Sequence, residues 1–262
     1  MPRKPLPKKP LVEAILEVRW ALQARPQTPI QVDPHFKLLL GRFYERARGR
    51  YPVHEQLPAA TMPDELLAYT VQHRFRTTVN GFPLVQLGPG ILTFNDTTGY
   101  DWDTFRPSAI EAVQMLFAAH PQPDELTVAS LLLRYIDAVN FDYERDNLLE
   151  FLRDKMRVEL SLPQGVFDGN QIARKPREFL WQSSFATTTP TGALTLKFTT
   201  GRRMPPQNEP ILVWETALES KGNELPALPS RFEEWFRPAH DRSSEVFWKL
   251  IEGDLEREFE GT

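Results

Sequence analysis

The feature that most constrains the fold is a strand pattern near the start of the chain that recurs in part near its midpoint. Residues 11–20 carry an apolar side chain at every even position, which predicts a β-strand with one buried face. Residues 126–141 form a second, nearly continuous apolar run, which is typical of a central strand covered on both faces. Both segments contain an aliphatic residue followed by an arginine and an aromatic residue. These steps are Val18-Arg19-Trp20 and Leu133-Arg134-Tyr135.

Each of these strands is followed by helix signals and then by hairpin signals, in the order β-α-β-β-α and then β-α-β-β-β-α. This order predicts an α+β fold made of two tandem units with mostly antiparallel sheet and packed helices. We expect a basic, proline-rich arm at 1–10, a first unit at 11–125 and a second unit at 126–262. The two units should share one continuous interior, and a long amphipathic helix should end the chain.

Local signals place several of the predicted boundaries. Asp33 is a good N-cap for the first helix, and Asn80-Gly81 predicts a tight hairpin because both residues tolerate positive φ. Ser230 and Glu233 fit a capping box at the start of a late helix. Pro238 predicts an interruption of that helix, so that a separate final helix begins near residue 243.

Composition excludes several classes of protein. The 262 residues are 41% hydrophobic and 25% charged, which is typical of a globular protein with a substantial core. The absence of cysteine excludes disulfides, thiolate nucleophiles and cysteine-ligated metals, and it favours a cytoplasmic location. We find no apolar run of about 18 residues, so no membrane span is predicted. The net charge of −4 argues against binding nucleic acid with the whole surface, but it leaves room for a local basic patch.

Basic residues gather in three places that favour an anionic partner or a solvated surface. Residues 1–10 contain four prolines, four cations and no acid, which predicts an extended arm. Further arginines lie along the polar side of the first helix and in a loop after residue 200. The candidate partner- or nucleic-acid-binding residues are Lys8, Lys9, Arg42, Arg46, Arg202 and Arg203. The tail from residue 230 is acidic, and this asymmetry is compatible with self-association as well as with ordinary solubility.

No familiar catalytic motif is present. The glycines at 88–90 lack the lysine of a phosphate loop, and the five histidines are too dispersed to suggest a metal site. His240, Asp241 and Ser243 have the residue types of a hydrolytic triad, but sequence neighbours cannot converge as a triad requires. We interpret Asp241 or Ser243 as a helix cap. We therefore expect no catalytic residues, no metal and no cofactor.

Asp137 interrupts an apolar strand three residues after Arg134. We interpret the two as an arginine–carboxylate pair or as a position at the end of the sheet. An active site remains an alternative for the same pair, and it underlies the hypothesis of a metal-dependent hydrolase of unfamiliar type.

Several short segments resemble a family of uncharacterised, sporadically distributed bacterial proteins of similar length. They are Pro10-Leu11-Val12-Glu13-Ala14, Glu17-Val18-Arg19, Val85-Gln86-Leu87, the stretch with Tyr100, Trp102 and Phe105, and Leu133-Arg134-Tyr135-Ile136-Asp137. The resemblance covers nearly the full chain and implies no established activity. Patchy distribution is often seen for mobile or defence-associated genes.

These observations lead to three hypotheses about function. The first is a non-enzymatic bacterial interaction or regulatory protein, such as an accessory subunit of a phage-defence or toxin-related system. Its partner would be a second copy of the chain or the product of a neighbouring gene. The second is a nucleic-acid-binding module that uses the basic arm and helix, with affinity that falls steeply with salt. The third is the metal-dependent hydrolase around Arg134 and Asp137.

Overall fold

A computed structural model describes residues 6–25, 28, 30–63, 66–97, 99–168, 171–173 and 175–261, and in this part of the chain nine strands form one antiparallel sheet. The sheet strands are β1 (Leu11–Trp20), β4 (Val53–Gln56), β5 (His73–Arg76), β6 (Leu84–Gly88), β7 (Ile91–Asp96), β8 (Val128–Asn140), β9 (Leu180–Thr188), β10 (Thr191–Arg202) and β11 (Pro210–Lys221). A separate two-stranded ribbon consists of β2 (Gln23–Ala24) and β3 (Gln31–Val32). The α-helices are α1 (Phe36–Ala47), α2 (Trp102–Ala119), α3 (Leu148–Met156), α4 (Phe232–Ile251) and α5 (Asp254–Glu260).

The prediction of two tandem units is wrong, because the two similar strands are neighbours in a single sheet. The strand order is β4-β5-β6-β7-β1-β8-β11-β10-β9, with β1 antiparallel to β8. Their register runs from Leu11 opposite Asp137 to Trp20 opposite Val128, with two irregularities. The backbone ladder is therefore continuous from one half of the chain to the other. Alternating hydrophobicity predicts that a segment is a strand, but it does not reveal which strand lies beside it.

The helices pack on one face of this sheet. The even-numbered residues of β1 from Ala14 to Trp20 form the main core with Leu133 of β8 and with the buried sides of α1, α2 and α4. A second cluster joins the far end of the sheet to α3 and α5, with Trp214 and Leu152 among its buried members. The core thus extends beneath the helices along most of the sheet.

Charged and polar side chains occupy the opposite face. The guanidinium of Arg74 lies 3.0 Å from the side-chain oxygen of Gln86 and 3.4 Å from a carboxylate oxygen of Glu55. Further along the sheet, the ammonium of Lys197 donates to the carboxylate of Glu215 at 2.9 Å. Cross-strand pairs of this kind stabilise a sheet face that has no helix layer over it.

Residues 6–10 of the predicted arm lie against the body of the protein. Leu6 is buried in the second cluster. The backbone N–H of Lys8 donates to the carbonyl of Phe259 at 3.0 Å, and the carbonyl of Pro10 accepts from Ala138 at 2.9 Å. This segment therefore connects α5 to the end of β8. Residues 1–5 of the arm lie outside the described residues.

Asp33 has a different role from the predicted N-cap. The N-cap position of α1 is His35, whose side chain makes no capping hydrogen bond. The carboxylate of Asp33 accepts instead from the indole N–H of Trp20 at 2.9 Å and from the backbone N–H groups of His35 and Gly90 at 3.0 and 3.2 Å. It therefore connects the start of α1 to the end of β1 and to the β6–β7 turn.

The predicted interruption at Pro238 is also wrong. Helix α4 continues through Pro238, with Trp235, Phe236 and Ala239 buried on both sides of it. Packing of this apolar face compensates for the backbone hydrogen bond that proline cannot make. The expected capping box is absent from the described helix start, where Ser230 donates to the carbonyl of Ala227. The residues after Pro238 therefore lie in the middle of a helix rather than at its beginning.

None of the helices in the described part of the chain combines the length and the apolar composition that crossing a lipid bilayer requires.

We expect Leu16→Ala to lower the free energy of unfolding in a single cooperative transition. Leu16 is 0% exposed in the centre of the sheet, so the truncation should cost about 2–5 kcal/mol. The control Leu180→Ala removes a side chain that is 70% exposed on β9, and it should change stability by less than about 0.5 kcal/mol. Chemical denaturation followed by tryptophan fluorescence measures both. Two separate transitions, with only one shifted by Leu16→Ala, would contradict the single continuous sheet.

Candidate functional site

A cavity of about 740 Å³ lies on the helix side of the sheet. Its walls come from four parts of the chain: residues 6–11, the segment 100–103 at the start of α2, the strands β8 and β11, and the second half of α4. Clefts of roughly 300–1,000 Å³ are typical of sites for small molecules. The size and the mixture of aromatic and polar walls make this cavity the candidate functional site.

The central strands supply three polar side chains to the cavity wall. Tyr135 and Asp137 are two residues apart on β8, so they share a face, and Thr216 lies opposite Tyr135 on β11. The same face of β8 is apolar at Leu131 and Leu133, which belong to the core. The wall therefore begins where the apolar interior of the sheet gives way to polar residues.

Helix α4 supplies the opposite wall. His240, Ser243 and Phe247 follow one another at helical spacings of three and four residues, so they lie on one side of α4. The imidazole of His240 stacks on the indole of Trp102, with ring centroids 3.7 Å apart and planes 8° apart. Trp102 also packs on Phe236 at 5.0 Å. The start of α2 is thereby held against α4 by aromatic contacts.

A chain of hydrogen bonds connects the walls. The Tyr135 hydroxyl lies 2.9 Å from the Tyr100 hydroxyl and 2.8 Å from Nδ1 of His240. Burial lowers the pKa of His240 to about 4, and it raises the pKa values of both tyrosines. All three groups are therefore neutral at pH 7, and they hold the sheet, the start of α2 and α4 in register.

Asp137 is the most unusual group in the cavity. Its side chain is 3% exposed, and burial raises its pKa to about 8, so that it carries a proton at neutral pH. Among the described residues, none forms an ion pair or a hydrogen bond with its carboxyl group. The hydroxyls of Thr216 and Ser243 also have no hydrogen-bond partner within the described structure. Three buried polar groups around the cavity, Asp137 and Thr216 on the sheet and Ser243 on α4, thus lack partners among the described residues.

The structure separates the two residues that we interpreted as a pair. Arg134 and Asp137 are three residues apart on a strand, so their side chains point to opposite faces of the sheet. The Arg134 guanidinium lies 3.8 Å from the carboxylate of Glu215 on the polar face. The side chain of Asp137 points to the helix side of the sheet, away from Arg134.

The predicted basic residues lie on different elements. Lys9 lines the cavity, and its ammonium donates to the carbonyl of Tyr100 at 2.7 Å. Arg42 and Arg46 are on α1, where the Arg46 guanidinium donates to the carbonyl of Arg42. The remaining members of the set are Lys8, beside Lys9, and Arg202 and Arg203, at the end of β10.

The two arginines after residue 200 contact nearby polar groups. Arg202 lies 2.6 Å from a carboxylate oxygen of Glu144, and Arg203 donates to the side-chain oxygen of Asn140 at 3.0 Å. Helix α1 packs against β5 through Phe43, whereas β10 is next to the other edge of the sheet. The structure therefore does not bring the arginines of α1 and β10 together.

Sequence reasoning found some members of the cavity and missed others. It singled out Asp137 as an interruption of an apolar strand, but it interpreted Ser243 as a helix cap. Thr216 gives the same kind of signal, because it interrupts the apolar face of β11 between Trp214 and Leu218. Tyr100 gives no such signal, because its role depends on contact with Tyr135.

Protein-family models, curated proteins and solved structures were compared with this chain. None of them matches it. The resemblance to sporadically distributed bacterial proteins therefore stays a prediction. Within the described residues, no group of three histidine, aspartate or glutamate side chains is placed to hold a metal ion.

We expect Asp137→Asn to flatten the pH dependence of stability between pH 6.5 and 8. The folded protein keeps the Asp137 proton up to about pH 8, whereas the unfolded chain loses it near pH 3.8. Because the folded state binds more protons between these values, stability falls as pH rises, by about 1.4 kcal/mol per pH unit. The loss should end above pH 8.

Urea denaturation at several pH values measures this slope. The control Asp124→Asn removes an exposed carboxyl group far from the cavity and should keep the wild-type slope. An unchanged slope in Asp137→Asn would show that the carboxyl group does not keep its proton in the folded state.

We expect His240→Gln to reduce the sensitivity of the fold to acid. The unfolded imidazole takes up a proton as pH falls through 6.5, whereas His240 stays neutral down to about pH 4. Its contribution to stability is therefore complete above pH 6.5, and about 3 kcal/mol is lost as pH falls towards 4. The slope of unfolding free energy against pH in this window should be shallower in His240→Gln. Parallel slopes would contradict a neutral, buried His240.

Proposed function

We propose that this protein binds a small molecule in the cavity between the sheet and α4. The observation that carries the proposal is the set of three buried polar groups without partners among the described residues. Asp137, Thr216 and Ser243 are 3%, 1% and 1% exposed, and all three line the same cavity. A ligand that enters this cavity can pair with the Asp137 carboxyl group, and rotation of the Thr216 and Ser243 side chains would bring their hydroxyls to it as well.

The energetic argument rests on how rarely proteins leave buried polar groups unpaired. Each unsatisfied buried group costs about 1–3 kcal/mol, and most buried polar groups have a partner. Three such groups around one cavity are unfavourable for folding alone. Aromatic residues beside them, including Trp102 and Phe247, add the apolar surface that small-molecule sites use for affinity.

Binding accounts for these groups better than nucleophilic catalysis does. A serine or threonine nucleophile needs a base within hydrogen-bonding distance. In the described structure the hydroxyls of Ser243 and Thr216 have no such partner, and the Nδ1 atom of His240 is engaged with Tyr135.

The hypothesis of a cytoplasmic bacterial accessory or regulatory protein is compatible with a ligand cavity. A ligand that binds beside α4 can change the affinity for a partner that contacts the same helix. All three hypotheses from the sequence stay predictions: the accessory or regulatory protein, the nucleic-acid-binding module and the metal-dependent hydrolase. Pull-down with the products of neighbouring genes, with and without a cavity ligand, tests the first of them.

We expect Thr216→Val to stabilise the ligand-free protein. Valine keeps the shape of threonine and removes a hydroxyl that has no partner in the described structure, so the free energy of unfolding should rise by about 1 kcal/mol. The control Thr195→Val lies on the polar face and removes a hydrogen bond of 2.7 Å to Ser184, so it should not stabilise. Urea denaturation measures both variants. A loss of stability in Thr216→Val would contradict an unpaired hydroxyl.

A fragment screen tests the proposal directly. Ligand-observed NMR with the full chain should find binders that Ser243→Phe abolishes, because the new ring occupies the cavity. Ser184→Phe adds the same bulk on the exposed strand β9 and should retain them. Circular dichroism establishes that both variants fold, and Thr216→Val supplies a second cavity variant of unchanged volume. The proposal is overturned if no fragment binds, or if folded Ser243→Phe binds every fragment as the wild type does.

A further inference from the structure

We propose that the ligand of this cavity is a small organic cation, with a protonated amine at Asp137 and an aromatic or apolar body against Trp102 and Phe247. This inference rests on the proposed function, and it specifies the chemical class that the walls select. Three features support it: the charge of the walls, the isolation of Asp137 and the kind of hydrogen-bonding atoms that the walls contain.

The first feature is an excess of acidic side chains. Among the described residues that line the cavity, five are acids and two are lysines. The acids are Asp101, Asp103, Asp137, Asp241 and Glu245, and the lysines are Lys9 and Lys249. Both lysines have other partners, since Lys9 donates to the carbonyl of Tyr100 at 2.7 Å and Lys249 pairs with Glu252 at 3.2 Å. Among the acids, Glu245 pairs with Arg242 at 2.6 Å and Asp101 accepts from the backbone N–H of Asp103 at 2.9 Å, which leaves Asp103, Asp137 and Asp241. Such walls favour a positively charged ligand and disfavour an anion.

The second feature is the isolation of Asp137. A carboxyl group that is 3% exposed is normally paired with a cation or with several donors. None of the described residues supplies either to Asp137. A ligand ammonium would provide the missing opposite charge inside the protein, where water screens the interaction least. The other acidic residues of the cavity would not by themselves show where the positive charge of the ligand lies, but the buried Asp137 carboxyl group does.

The third feature is the match between donors and acceptors. An ammonium group has three donors and no acceptor. The Asp137 carboxylate can accept from it. The hydroxyl oxygens of Thr216 and Ser243 are buried and have no partner in the described structure, and rotation of these side chains would turn them towards the ligand. Trp102 and Phe247 line the same cavity and supply apolar aromatic surface for the body of the ligand. The walls thus offer acceptors and an aromatic surface together.

Binding of a cation should be coupled to release of a proton. The titratable groups that line the cavity with Asp137 are Tyr135 of β8, Tyr100, Asp101 and Asp103 at the start of α2, Lys9 of the N-terminal segment, and His240, Asp241, Glu245 and Lys249 of α4. Burial keeps both tyrosines and the imidazole neutral through pH 6–8, whereas the Asp137 carboxyl has a pKa of about 8. Because the cation requires ionised Asp137, affinity should weaken by about tenfold for each pH unit below 8.

The experiment compares probes that share a shape and differ in charge. One set is phenethylamine, phenethyl alcohol and phenylacetate, and a second set is tryptamine, tryptophol and indoleacetate. Isothermal titration calorimetry with the full chain at pH 7, in two buffers of different ionisation enthalpy, gives affinity and proton release. We expect the amine to bind roughly tenfold or more tightly than its neutral analogue and to release close to one proton. The anion should bind weakest.

Variants separate the charge of Asp137 from its shape. Asp137→Asn should lose the preference for the amine over the alcohol and should release no proton, while the neutral probe binds as before. The control Asp124→Asn should behave as the wild type. Since Asp137→Asn keeps the volume of the side chain, circular dichroism and binding of the neutral probe together report whether the cavity is intact.

The outcomes distinguish this inference from the proposed function. The cationic class is wrong if neutral or anionic probes or library fragments bind the cavity as tightly as cations do. If Ser243→Phe abolishes their binding, the cavity remains a binding site. An amine that binds without proton release, or equally well to Asp137→Asn, also overturns the class. If no probe and no fragment binds in the cavity, both proposals fail.

Discussion

Pairing of β1 with β8 in the centre of the sheet is the interaction on which the rest of the structure depends. It connects the strands of the first half of the chain to those of the second half through one backbone ladder. The same pairing aligns Leu16 with Leu133 and Ala14 with Tyr135, so the apolar core and the polar cavity wall lie on one face. The helices then cover that face, and the cavity forms where α2, α4 and the N-terminal segment meet over its polar end.

The cavity wall is stable because the core around it is extensive. Trp214 is fully buried beside Asp137 on the neighbouring strand, and Trp235 and Phe236 are buried on α4 before His240. Burial of such large apolar side chains stabilises a fold by roughly 1.5–3 kcal/mol each. That contribution is large enough to offset a few unpaired polar groups of similar individual cost. The site lies at the central strands rather than at an edge, where the broad sheet buries enough apolar surface to offset the cost of the unpaired groups.

Local structure followed from the sequence more closely than did the arrangement of the elements. The predicted strand at 11–20 coincides with β1. The tight hairpin predicted at Asn80-Gly81 is wrong: Asn80 has positive φ, but β5 ends at Arg76 and β6 begins at Leu84, so a loop of seven residues joins them. The arrangement as two tandem units was wrong, because an alternating pattern contains no information about its neighbour in the sheet. The predicted helix interruption at Pro238 was wrong for a related reason, because tertiary packing of Trp235 and Ala239 outweighs the local effect of proline. The cavity joins residues near positions 9, 100, 135, 216 and 240, and spacing in the sequence cannot predict such a convergence.

The N-terminal segment has a thermodynamic consequence for the cavity beside it. Residue 8 is bonded to the backbone of α5, residue 10 is bonded to the end of β8, and Lys9 between them reaches the segment before α2. Undocking of α5 therefore removes one of the backbone anchors of a cavity wall, although α5 itself lies in the second core cluster. Docking of α5 and the position of residues 8–10 in the cavity wall are linked equilibria, so occupancy of the cavity is expected to reduce fraying of α5 and of this segment.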